Sequence, residues 1–262
     1  MELELRGKRV IVTGGGSNIG RAIVHEFARE GAYVAILDRD VPRAEATAQE
    51  AREVGAAGAS VFAVDLLDRA ASRDAMNAAM GALGGVDVFV ANVGANKPAF
   101  FLETPEESWT QLVELNLMSC MNCTRAVLPR MIEQRSGAIV AIASTAAFGE
   151  PRQSVYAGAK AGVIGFVRTV AHEYGRYGIR ANLVAPGLVV PEREAIGAGS
   201  LWQERESVMN DAQIDYVRKG TPLRRLSAAE DIARSVAFLA SERAARQLTG
   251  QLITVAGGFA MR

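Results

Sequence analysis

Arg9-Val10-Ile11-Val12-Thr13-Gly14-Gly15-Gly16-Ser17-Asn18-Ile19-Gly20 begins as a β-branched run and passes through a glycine cluster. It then enters a helical pattern that continues from Ile19 to Glu30 and stops at Gly31. A short apolar strand that feeds a helix through a tight glycine turn is the first half of a βαβ unit. The free N–H groups and positive dipole end at the start of such a helix suit an anion. The literal Gly-x-Gly-x-x-Gly spacing is not met, because Ile19 stands where the third glycine counted from Gly14 belongs. The strand–turn–helix context, rather than the glycines alone, makes this a candidate phosphate loop.

The same rhythm repeats along the chain. Strands are predicted at 33–37, 60–64, 86–90, 138–143, 179–184 and 251–255. Helices are predicted at 43–54, 69–83 and 106–134 (with Pro129 kinking or ending the last), around Tyr156 and Lys160, and at 228–240. Repeated βα units imply an α/β fold, a Rossmann-type doubly wound parallel sheet of about seven strands with helices on both faces. With no linker-like stretch, residues 1–262 read as one domain. Val189 to Thr221 breaks the rhythm. It has no clear strand, and Gly197 and Gly199 are candidate hinges, so it reads as a lid over a site.

The chain has 29 basic and 29 acidic side chains and formal net charge zero, so nothing favours nucleic acid or an anionic membrane as partner. No apolar run approaches the ~20 residues needed to span a bilayer, and Met1 to Arg6 lacks the features of a signal peptide. A cytoplasmic protein is expected. Cys120 and Cys123 form a Cys-x-x-Cys without a second pair, so they read as small buried hydrophobes and no metal site is expected. His25 and His172 have no metal-type spacing.

Asp38 ends the second strand, where a carboxylate can bond both ribose hydroxyls of an adenosine and would repel a 2′-phosphate. Arg39 next to it could bind that phosphate. The acid is weighted above the base, so NAD is expected and NADP is the lesser alternative. Tyr156 and Lys160 are four apart in a helical stretch and share one face. An ammonium beside a phenol favours the phenolate, so the pair is a candidate acid/base for an alcohol or carbonyl. Ser144, twelve residues before Tyr156, ends a buried strand where parallel sheets place ligand-contacting groups, and it could steady the substrate oxygen.

Taken together, these residues make the sequence similar to the short-chain dehydrogenase/reductase family over nearly its whole length. The family's Thr-Gly-x-x-x-Gly-x-Gly loop resembles Thr13 to Gly20. Its Asn-Asn-Ala-Gly segment resembles Ala91 to Gly94, its catalytic Asn matches Asn116, and its Ser, Tyr and Lys match Ser144, Tyr156 and Lys160. Its Asn-x-x-x-Pro-Gly segment matches Asn182 to Gly187. The resemblance implies that Tyr156 is the general acid in reduction and the general base in oxidation. Lys160 would lower its pKa and hold the nicotinamide ribose, Ser144 would position the reacting oxygen, and Asn116 would hold a water relaying protons from Lys160.

The implied cofactor positions are Gly14, Ser17, Asn18 and Ile19 in the loop, then Asp38, Arg39, Asp65 and Leu66 around the adenosine. Asn92, Gly94, Tyr156, Lys160, Pro186, Gly187 and Val189 follow toward the nicotinamide. Asn18 replaces the middle glycine, and Asn is the least costly substitute if positive φ is required there. Val189 replaces a threonine of many relatives, and Ala256-Gly257-Gly258 lacks the usual Asn or Asp.

The lid contributes Val189, Val190, Leu201, Trp202, Val208 and Met209, and Phe100 and Phe148 follow other site strands. A largely apolar pocket suits a ring-bearing or bulky secondary alcohol, with Ser144, Tyr156, Trp202 and Met209 as substrate contacts. Two alternatives stand beside an NAD-dependent alcohol dehydrogenase/ketone reductase. One is an NADP-dependent reductase of 3-oxoacyl thioesters, and the other is an NAD-binding regulator or scaffold without turnover. Apolar residues around much of the 106–134 helix, and on the helix after Ser154, imply a homotetramer, and relatives pair subunits through these two helices.

Overall fold

The computed structural model describes residues 2–192, 196, 201–204 and 209–260. β-branched and alanine-rich runs form β1 (Arg9–Thr13), β2 (Tyr33–Asp38), β3 (Gly58–Ala63), β4 (Val88–Ala91), β5 (Gly137–Ile142), β6 (Ile179–Pro186) and β7 (Leu252–Val255). All pair in parallel in one sheet of order β3-β2-β1-β4-β5-β6-β7. The chain winds outward through β1, β2 and β3, then crosses back to β4 and winds the other way. The reversal lies between β1 and β4, and a crevice opens there at the C-terminal strand ends.

Alternation along each strand divides the core into two layers. Val10, Val12, Val34, Ile36, Val88, Val90 and Val140 face α1 (Asn18–Arg29), α2 (Val41–Val54) and α8 (Ala229–Ala240). Ile11, Ala35, Leu37, Phe89, Ile139 and Leu183 face α3 (Arg69–Leu83), α5 (Ser119–Gln134) and α6 (Ser154–Tyr174). Both faces are therefore dry, as the unbroken apolar strands require.

The helix expected over 106–134 is not continuous. It consists of α4 (Glu106–Val113), a π-helical turn over Glu114–Met118, and α5. Pro129 neither ends nor interrupts α5. It is exposed, so the carbonyl it leaves without a helix donor lies toward water. In the π turn, Asn116 spends its side-chain amide on the Leu112 carbonyl four residues back, at 2.9 Å. That carbonyl is the one an α-helical N–H would have taken. β3 starts two residues earlier than expected and β4 two residues later; before β4, Asp87 binds the Arg9 guanidinium at 2.6 and 2.9 Å instead of continuing the strand.

Within the expected lid the described residues form a short 3₁₀ turn over Leu201–Glu204 and α7 (Asp211–Gly220). The candidate hinges Gly197 and Gly199, and the candidate wall residue Val208, lie outside the described residues, as does the side chain of Leu201. A short α9 (Glu242–Ala245) precedes β7. No helix among the described residues is long and apolar enough to cross a membrane.

Candidate active site

One cleft of about 450 Å³ runs along the C-terminal ends of β1 to β6. One end is lined by Ser17 to Gly20, by Asp38, Arg39 and Asp40, and by Asp65 and Leu66. Its other end holds Ser144, Tyr156 and Lys160, with Gly94, Pro186, Gly187, Val189, Trp202 and Met209. Every loop, strand-end and lid position predicted to contact cofactor or substrate therefore lines this cleft. Asn116 alone sits behind the wall, 1% exposed.

The glycine loop is shaped by close approach. A Cβ on Gly20 would lie 1.8 Å from the Gly14 carbonyl oxygen, so only glycine lets α1 start this near the loop. Asn18 has φ 43°, the left-handed conformation that asparagine tolerates best after glycine. Ser17 precedes α1 in extended geometry, its side chain caps no N–H, and the first turn carries no acid. The helix start is thus left open to an anion. The buried Oδ1 of Asn18 has no partner. Rotation of that amide presents its NH2 at the same place.

Asn92 ties the loop to β4. Its Nδ2 donates to the carbonyls of Thr13 and Gly14 at 3.1 and 3.0 Å, and its N–H donates to Thr13 Oγ1 at 3.1 Å. Asn92 therefore holds the loop in place as well as lining the cleft. Asp38 accepts the Gly16 N–H at 2.9 Å on one oxygen and the Asp40 N–H at 3.0 Å on the other. Its carboxylate is fixed at the mouth of the glycine loop, with lone pairs remaining for a further donor.

At the reacting end, Tyr156 and Lys160 project from the first turns of α6, with the ammonium 5.8 Å from the ring centre. Lys160 Nζ donates to the Ile142 carbonyl at 2.8 Å, which leaves two N–H groups for other acceptors. Burial pushes the Lys160 ammonium down to about 8. Burial also pushes the Tyr156 phenol up; a hydrogen bond with Ser144 opposes this and the Glu150 charge adds to it. The structure thus differs from the expected order of influences. Desolvation, not the ammonium, sets the direction for Tyr156, because both groups lie out of water.

Ser144 Oγ accepts the Ala146 N–H at 3.1 Å, so its own proton remains to be donated. Asn116 is clamped to loop 94–95. Its Oδ1 accepts from Ala95 N at 3.0 Å and its Nδ2 donates to Ala95 O at 2.9 Å. A Cβ on Gly94 would lie 2.7 Å from Asn116 Oδ1 and 2.9 Å from Lys160 Nζ, so both polar atoms converge over that glycine.

Sequence reasoning missed one polar wall of the cleft. Thr145 donates to Glu150 at 2.5 Å, Gln153 donates to Glu150 at 2.9 Å, and Asn96 donates to Gln153 at 3.4 Å. All four residues line the cleft. The only available signal was that Gln153 is three residues before Tyr156 and therefore shares its side of the α6 start.

Phe100 and Phe148, by contrast, do not line it. Phe100 is 57% exposed under the Arg152 guanidinium, and Phe148 packs against the core. Val190 lines a separate small cleft. Cys120 and Cys123 are buried, and burial pushes their thiols up to about 11 and about 12, so neither is a ready nucleophile. Among the described residues there is no cluster of three or more metal-ligating side chains.

The profile of the family described as short chain dehydrogenase matches residues 8–195. The 3-oxoacyl-[acyl-carrier-protein] reductase FabG of Staphylococcus epidermidis is 35% identical over 97% of this chain and 99% of its own. The protein of the same name from Thermotoga maritima is 33% identical over 98% and 99%. Among solved structures, a 7α-hydroxysteroid dehydrogenase complexed with NADH and 7-oxoglycochenodeoxycholic acid superposes with a TM-score of 0.89. It shares 31% identity, with 98% of this chain and 96% of that chain covered. An NAD⁺-bound xylitol dehydrogenase superposes with a TM-score of 0.87 at 26% identity, covering 97% and 100%.

Proposed function

The chain belongs to the short-chain dehydrogenase/reductase family, and on that premise we propose that it moves a hydride between a nicotinamide cofactor and a ketone/secondary-alcohol pair, with Tyr156 exchanging the proton. The observation that carries the reading is the Ser144–Tyr156–Lys160 group on one wall of a cleft whose far end is an open helix start. A dinucleotide fits this cleft: the loop glycines leave room for it, and the α1 start and the orphaned Asn18 amide supply groups for its phosphates.

Asn18, Ser17 and the α1 N–H groups would hold the pyrophosphate, Asp38 the adenosine ribose, and Asp65 and Leu66 the adenine. Lys160 would hold the other ribose with its two remaining N–H groups. The bound cofactor supplies or accepts the hydride. In reduction the neutral Tyr156 phenol donates its proton to the carbonyl oxygen and is left as phenolate; in oxidation that phenolate takes the proton of the hydroxyl. Ser144 donates to the same oxygen. Asn116 fixes the loop beneath Lys160, and the second lone pair of its Oδ1 is left for a relay water.

Two readings of the substrate differ in support. The names of the curated relatives weigh toward a 3-oxoacyl thioester. A ring-bearing secondary alcohol is supported by the apolar lid residues Trp202 and Met209 and by the steroid-bound structural neighbour. The relatives are matched along their full length, so the thioester takes precedence as first substrate to test. For the cofactor, the fixed carboxylate of Asp38 favours NAD over NADP. The reading also includes one catalytic domain with a substrate lid near 189–221, a homotetramer, and work in the cytoplasm on a small molecule.

The test is turnover of acetoacetyl-CoA with NADH or NADPH, and of cyclic and aromatic secondary alcohols with NAD, by wild type and Tyr156→Phe. Tyr156→Phe should bind NADH normally and lose turnover. Retention of more than about a tenth of the wild-type rate would assign the proton to another group. NAD binding without turnover of any of these would favour the regulator reading.

A further inference from the structure

The polar wall of the cleft has no part in hydride or proton transfer as derived above. It is nevertheless built with more order than a solvated surface needs. Glu150 follows the 3₁₀ turn that begins at Thr145, directly after Ser144. One carboxylate oxygen accepts from Thr145 Oγ1 at 2.5 Å, the other from Gln153 Nε2 at 2.9 Å. Gln153 is itself held by Asn96 at 3.4 Å, and the loop carrying Asn96 is pinned by Ala99 N donating to Arg152 O at 2.9 Å.

Both donors to Glu150 are neutral, and no ion pair among the described residues includes it. A carboxylate offers about four acceptor sites, so two are left on a half-buried anion that lines the cleft. Glu150 lines the same cleft as Ser144 and Tyr156, and its charge adds to the upward push on the Tyr156 phenol. Val189, Met209 and Phe259 supply apolar lining for a carbon frame.

We propose that Glu150 is a specificity-determining residue: pinned by Thr145 and Gln153, it accepts a hydrogen bond from a substrate hydroxyl close to the reacting carbon and keeps out substrates with a carboxylate there. The inference rests on the secondary-alcohol reading of this cleft, since a 3-oxoacyl thioester carries no second hydroxyl beside its reacting carbon. A hydroxyl completes the acceptor capacity of a preorganised anion, and charge-assisted bonds of this kind are stronger than neutral ones. A carboxylate in the same place meets like charge in a cleft where screening is weaker than in bulk water.

The test is calorimetric titration of wild type and Glu150→Gln, each saturated with NADH so that no alcohol is oxidised, with cyclohexanol, vicinal cyclohexanediol and hydroxycyclohexanecarboxylate. Wild type should bind the diol about tenfold more tightly than cyclohexanol and the carboxylate most weakly. Glu150→Gln should lose most of the diol preference and gain about tenfold or more toward the carboxylate. Thr145→Val keeps the charge but releases it, so it should lose the diol preference while still disfavouring the carboxylate. This variant remains informative if Glu150→Gln fails to fold.

An unchanged ranking in both variants, or a wild type that does not bind the diol more tightly than cyclohexanol, would overturn the proposal. The readout is binding and needs no turnover. Failure of the hydride-transfer reading would appear instead as the absence of Tyr156-dependent NADH formation.

Discussion

Replacing Lys160 by Met should stabilise the ligand-free protein while destroying its activity. Lys160 is 2% exposed, and no ion pair among the described residues includes it. Its ammonium is pushed from 10.5 to about 8 by burial. A folded-state value below the unfolded one means the unfolded chain binds more protons between about pH 8 and pH 10.5, so stability rises with pH across that window. Below it the ammonium costs the fold about 3 kcal/mol, above it almost nothing.

Methionine fills similar length without charge. It leaves the Ile142 carbonyl without the 2.8 Å donor it now has, which offsets about 1 kcal/mol. The variant should therefore be more stable than wild type by about 2 kcal/mol at neutral pH. The advantage should vanish or reverse by about pH 10. Urea unfolding of cofactor-free wild type and variant, at one protein concentration and several pH values, measures this directly. A gap that stays constant between about pH 7 and pH 10, or a variant less stable at neutral pH, would show that the buried ammonium is not the unpaired charge described here.

Wild type should prefer NAD, and Asp38→Ala should narrow the NAD-to-NADP ratio of kcat/KM by about tenfold or more; a wild type that already prefers NADP would show that Arg39 outweighs the acid. Gly20→Ala forces a Cβ to 1.8 Å from the Gly14 carbonyl oxygen, so NAD affinity should fall by more than about tenfold and Tm by several degrees. Normal NAD binding by that variant would refute the close-approach account of the loop. Light scattering at micromolar concentration should give a tetramer, because Leu112, Leu117, Met118 and Met121 are only half buried within one chain; a monomer would remove that reading.

The parts of the site that could be read from the sequence share a physical origin. Ser144, Asp38 and Asn92 stand at or just beyond the ends of apolar parallel strands, and the sheet fixes where such ends point. Tyr156 and Lys160 share a face because four residues make about one helical turn. The break in the α4–α5 helix was invisible, because it depends on Asn116 competing for a carbonyl, whereas the proline that looked like the breaker is exposed. The aromatic residues misled for a related reason. Periodicity says that Phe100 and Phe148 are apolar, but not which way an irregular segment turns them.

Glu150 went unread because Gly149-Glu150-Pro151 has no period from which a direction could be inferred. The glycine-loop half of the cleft is therefore made largely of main-chain positions dictated by strand order. Much of the half around Tyr156 is made of side chains on irregular segments, whose orientation emerges only after packing. On the proposed reading, the family's hydride and proton transfer would stay fixed while the choice of substrate fell to a few residues such as Glu150, Gln153 and Asn96. Substitutions there should change which substrate is taken without moving Ser144, Tyr156 or Lys160.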